Sequence, residues 1–181
     1  MEISPKDILY QQISEISEPK ILKELIAGSK KRIIEEILHR CIPEIAKLSG
    51  NVHENFGVFA ESISHYLLTN ALIPSQRKII IRNTEVDVII PDSQTLGTHP
   101  ENSLVLYFAK TTNEDLILGS LEKMHGIQPH KENIIVIAKT LLKIPYKTYC
   151  VDDISSFSKM FDDIDVFLRS KPQSKFKIFK T

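Results

Sequence analysis

The sequence predicts an α/β protein, a mixed central sheet flanked by helices and preceded by an all-helical N-terminal extension. Three observations lead there. Residues 1–50 carry apolar side chains at helical spacing and contain no run of strand character. Beyond Gly50, β-branched runs alternate with helical patterns, the order expected where strands are joined by crossover helices. The run from Leu104 to Ala109 is nearly all apolar, as in a strand covered on both faces. The chain therefore divides into a helical extension over 1–50 and an α/β domain over 51–181.

Taken in order, Ser4-Pro5-Lys6-Asp7 is a helix start, with a capping serine, proline at the first helical position and an acid in the first turn. Ile8, Leu9, Ile13 and Ile16 then share one face to about Ser17. A second helix starts at Glu18-Pro19 and closes at Gly28. Ser29 caps a third, in which Ile33, Ile34, Ile37, Leu38 and Cys41 repeat; Pro43, lacking an amide hydrogen, predicts a kink or break near Cys41. Residues 56–70 form the next helix, with Phe59, Ile63, Tyr66 and Leu67 on its apolar side. Residues 78–82 and 85–90 are strands, joined through Asn83-Thr84 as a tight hairpin. Residues 91–103 have the composition of a surface loop. After the strand at 104–109, Thr112 or Asn113 caps a helix from Asp115 to about His125. Strands follow at 133–138 and 147–151, and Asp152-Asp153 precedes a final helix. The tail can add an edge strand through Phe176, Ile178 and Phe179.

At 181 residues the chain is long enough for a proper core, and its 23 basic and 23 acidic side chains cancel. A nucleic-acid surface would therefore have to be local. Lys30, Lys31 and Arg32 form one basic cluster, and Lys171, Lys175, Lys177 and Lys180 another; ordinary solvated charge is the competing reading of both. The two cysteines, Cys41 and Cys150, have apolar neighbours and read as buried free thiols of a reducing compartment. The N-terminus has no basic start followed by an apolar core, and no apolar run approaches a membrane span. The expectation is a cytoplasmic protein with no membrane partner.

The chemistry is concentrated between Gly57 and Lys110. A helix carries Glu61, a strand carries Glu85 and Asp87, and the next strand ends on Lys110. Acids on a helix and a strand, with a lysine on the following strand, suggest a metal-dependent phosphodiesterase centre. Such a centre needs a hard cation to neutralise developing charge, commonly magnesium on one or two carboxylates, with a lysine beside it. Alternation along a strand puts Glu85 with Asp87, and Phe108 with Lys110. The bland readings are a hairpin-end charge for Glu85, a helix-surface charge for Glu122 and a strand-end lysine for Lys110. Asp87 stands between β-branched apolar residues, where an uncompensated carboxylate is costly.

The order of elements, with Gly57-x-x-x-Glu61, Glu85-Val86-Asp87-Val88 and Phe108-Ala109-Lys110, resembles the PD-(D/E)xK nuclease superfamily over residues 55–151, archaeal Holliday-junction resolvases among its members. The resemblance implies a restriction-endonuclease-like αβββαβ core. It also implies Asp87, Lys110 and Glu61 as catalytic residues and magnesium held by Asp87 and Glu61. Phe108 stands where the superfamily has its second acid, so weak or absent cleavage is expected unless Glu61, Glu85 or Glu122 supplies the missing oxygen. The functional expectation is a nuclease-like protein that acts on or binds DNA or RNA, with Lys30, Lys31, Arg32, Lys175 and Lys177 as candidate contacts. The alternatives are a catalytically dead structural or protein-partner subunit, a homodimer included, and an active nuclease with a migrated carboxylate. His65 lies one helical turn from Glu61, the other histidines are scattered, and no zinc spacing or phosphate-binding glycine loop is present.

Overall fold

The structure, a computed structural model, describes residues 3–171. Its elements are α1 (Pro5–Ile16), α2 (Glu18–Ile26), α3 (Lys30–Ile45), α4 (Val52–Asn70), β1 (Gln76–Ile81), β2 (Thr84–Ile90), α5 (Ser93–Thr98), β3 (Leu104–Phe108), α6 (Glu114–His125), β4 (Ile134–Ala138), β5 (Lys147–Cys150) and α7 (Ile154–Arg169). The sheet has the order β1-β2-β3-β4-β5. Its first three strands are antiparallel neighbours, and β3, β4 and β5 run parallel. The mixed α/β architecture with a helical N-terminal region is the one the sequence predicts.

The helix starts follow their capping residues. Ser4 and Asp7 form a reciprocal capping box at α1, while Asn51, Asn113 and Asp153 cap α4, α6 and α7 through their side-chain oxygens. Three local expectations are corrected. Pro43 does not break α3, which runs through it to Ile45. His39, whose carbonyl loses its donor, and Pro43 are both exposed, so water can take that carbonyl, while Cys41 and Ile45 hold the helix to the core. The hairpin turn is Arg82-Asn83, not Asn83-Thr84: both turn residues have positive φ, 48° and 62°, and Ile81 pairs with Thr84. The loop over 91–103 contains α5, capped by Asp92, and a 3-10 turn at Pro100–Asn102. The edge strand through Phe176, Ile178 and Phe179 falls outside the described residues.

Two apolar cores sandwich the sheet. On one face Leu9, Ile21, Ile37 and Leu38 of the first three helices join Phe59, Phe157, Val88, Leu106, Phe108 and Ile137 in a single cluster. On the other, Leu96, Ile117, Leu121 and Met124 of α5 and α6 cover Val86, Ile89, Val105 and Val136. All five residues of β4 are buried, as a strand covered on both faces requires.

The sheet is irregular at one level. Val88 and Ile90 face the first core and Ile89 the second; strict alternation would put Val86 with Val88, yet it packs in the second core, so the pattern breaks at Asp87. Across the hairpin the register passes from Arg77↔Val88 to Ile79↔Val86, and the intervening Lys78 has φ 54°. Left-handed backbone at a lysine costs on the order of 1–3 kcal/mol. On the other side, β2 and β3 pair only from Val88↔Leu106 to Ile90↔Leu104, so they part at Asp87.

Candidate functional site

The parting of β2 and β3 exposes backbone that the carboxylate of Asp87 satisfies: its Oδ2 accepts the Phe108 N–H at 3.0 Å. Its Oδ1 takes the ammonium of Lys78 at 2.8 Å. The same Nζ lies 3.1 Å from Glu85 Oε1 and 3.4 Å from Glu61 Oε1. Three carboxylates thus meet at one lysine.

Glu61 reaches this point because α4 lies unusually close to the end of β3. A Cβ at Gly57 would sit 2.8 Å from both the Ala109 carbonyl oxygen and Lys110 Cγ, so only glycine allows the approach. One turn further along α4, Glu61 is 3 % exposed and fully engaged. Arg77 donates to its Oε1 through Nε at 3.0 Å and Nη2 at 2.8 Å, and Lys110 Nζ stands 3.4 Å from its Oε2. Burial pushes the Glu61 carboxyl up, but Arg77's hydrogen bonds and the charges of Lys78, Lys110 and Arg77 outweigh it and hold the pKa below the usual value. For Lys78 burial acts downward, and the bonds and charges of Asp87, Glu85 and Glu61 raise its pKa well above that of a free lysine. Burial, reinforced by the charge of Arg77, lowers the pKa of His65.

Glu61, Glu85, Asp87 and Lys110, picked out in the sequence, are therefore linked in one network. Glu122 is exposed on α6 and lies outside the cleft of about 280 Å³ beside Asp87, which Glu85, Tyr107, Ser120 and Lys123 help to line. Phe108, at 2 % exposure, puts its ring into the core on the α4 side and only its N–H on Asp87. Lys30 is tied to Asp165 of α7 at 2.6 Å, Lys31 lies 4.0 Å from Glu35, and Arg32 is exposed. Lys175 and Lys177 lie outside the described residues. Sequence reasoning missed Arg77 and Lys78, and the signal that could have found them was the hairpin register, which sets Lys78 across from Asp87.

Magnesium, the ion implied by the sequence resemblance, takes free oxygen ligands in near-octahedral array. Both oxygens of Glu61 and both of Asp87 already face an N–H or an ammonium of the chain itself. Among the described residues no group of three or more Asp, Glu, His or Cys is placed to hold a metal ion. The residues in this arrangement do not fit a divalent cation.

Sheet order, helix placement and the crowded end of β2 and β3 define a protein with a restriction-endonuclease-like fold. Among solved structures, the chain is similar to one described as the restriction endonuclease PspGI in complex with substrate DNA. The TM-score is 0.52 and the identity 16 %, over 93 % of this chain and 94 % of that one. At that identity the likeness is one of fold. No protein-family model matches the sequence, and no curated protein matches it significantly. No helix among the described residues is long and apolar enough to cross a membrane.

Proposed function

We propose that this chain is a nucleic-acid-binding protein on a nuclease fold, with little or no magnesium-dependent phosphodiesterase activity. The observation that carries this reading is the neutralisation of Glu61 and Asp87 by the chain's own Arg77, Lys78 and Lys110. A carboxylate serves a metal-assisted displacement only when its oxygens are open to the ion. Phe108, where the superfamily resemblance implies an acid, points the same way. Support for nucleic acid as the ligand comes from the DNA complex of the similar fold. The exposed Lys31 and Arg32 of α3 offer positive charge that phosphates can use. A fold alone does not dictate activity, so the choice is made at these residues.

The test is a cleavage assay on single- and double-stranded DNA and RNA with magnesium or manganese, using the natural protein, Asp87→Ala and Lys110→Ala. The expected result is no cleavage above background in any of the three. Robust natural cleavage that Asp87→Ala abolishes would overturn this reading and leave a carboxylate of Glu61, Glu85 or Glu122 as the replacement acid.

A further inference from the structure

We propose that Lys78 is a built-in cation, its ammonium taking the place among Glu61, Glu85 and Asp87 that a divalent ion would otherwise occupy. The inference rests on the nuclease-fold reading of this site and deepens it. Two independent observations carry it. The first is the convergence of one nitrogen, carried by β1, on three carboxylates from β2 and α4, at 2.8, 3.1 and 3.4 Å. An ammonium has three N–H donors, so one lysine can serve three acceptors, as a small cation serves three ligands. The second is backbone conformation. Lys78 has φ 54° in the middle of a strand, a strained arrangement for a side-chain-bearing residue. Such strain persists only where the surroundings over-determine it, and the carboxylates around Lys78 do so.

The charges also balance. Arg77, Lys78 and Lys110 face Glu61, Glu85 and Asp87, three cations against three anions, with no surplus negative charge left to attract magnesium. Removing Lys78 would leave Asp87 and Glu85 with no other ion-pair partner among the described residues, opening oxygens to a hard cation.

The experiment is a manganese titration, followed by calorimetry and by the paramagnetic signal of the free ion, on the natural protein, Lys78→Met and Lys78→Arg. Methionine keeps the length of the stem without the charge; arginine keeps the charge. The natural protein and Lys78→Arg should bind manganese only weakly, and Lys78→Met should bind at least about tenfold tighter. The gain should vanish in Lys78→Met combined with Asp87→Asn. Equal affinity in the natural protein and a folded Lys78→Met overturns the proposal. So does a gain that survives Asp87→Asn, because the ion is then held elsewhere. If circular dichroism shows Lys78→Met unfolded, Lys78→Gln takes its place. Should neither variant fold, the natural protein decides: sub-millimolar manganese binding lost in Asp87→Asn overturns the proposal, and no binding upholds it. No nucleic acid enters this titration, so its failure is separable from failure of the nucleic-acid-binding reading.

Discussion

Glu61 shows how charge, burial and pH are coupled at this site. The residue is 3 % exposed and its carboxylate is bonded by Arg77, with Lys78 and Lys110 alongside, so the ionised form is the one the fold stabilises. Because the folded pKa lies below the ordinary 4.5, this stabilisation is fully present above about that pH and is lost as pH falls through the folded value. Glu61→Gln should therefore cost about 2–3 kcal/mol at pH 7, the size of a charge-assisted hydrogen bond lost in a buried setting. The deficit should shrink in acid. Urea unfolding of both proteins at pH 7 and pH 3.5 measures it, and a deficit independent of pH would contradict the ion-pair account. Single residues also mark the limit of sequence reading. Asp87 stands out because a carboxylate is costly among apolar strand residues, and Glu61 and Lys110 stand out through the motifs that carry the family resemblance. Arg77 and Lys78 carry no such mark, since basic residues at the start of an edge strand are ordinary.

At the scale of elements, the contact between α4 and the end of β3 decides whether Glu61 can reach Lys110. In an open helix, Gly→Ala stabilises by about 1 kcal/mol. At Gly57 the added methyl would meet a backbone oxygen at 2.8 Å, and that oxygen cannot rotate away as a side chain could. Gly57→Ala should thus destabilise by about 1–3 kcal/mol, the cost of overpacking, as read from denaturant midpoints. An increase in stability would show that α4 does not press on β3. The hairpin between β1 and β2 explains why the site was only half legible. With the turn at Asn83-Thr84, antiparallel pairing sets Ile80 opposite Asp87; with the observed turn at Arg82-Asn83 it sets Lys78 there. One residue of turn placement separates an apolar partner from a cation. Asn-Thr lacks the glycine that usually fixes a two-residue hairpin, so local sequence left the turn undecided.

Across the whole molecule the element order is legible because helical spacing gives way to β-branched runs after Ile73, and helical and strand patterns alternate after Lys110. What periodicity does not report is which faces meet. The first three helices look separable in sequence, yet Leu9, Ile21, Ile37 and Leu38 share one core with Val88, Leu106 and Phe108. The charge balance, formally zero over the chain, is repeated at the sheet end, where cations and carboxylates meet in equal number. At the sheet end of this restriction-endonuclease-like fold, side-chain cations stand against the carboxylates. The most direct measurement is fluorescence anisotropy of labelled DNA and RNA with the natural protein in EDTA, across a salt series, then repeated in magnesium at matched ionic strength. The account predicts binding in EDTA that weakens steeply with salt and is unchanged by magnesium. Binding that appears only with the divalent ion, or no binding under either condition, would contradict it.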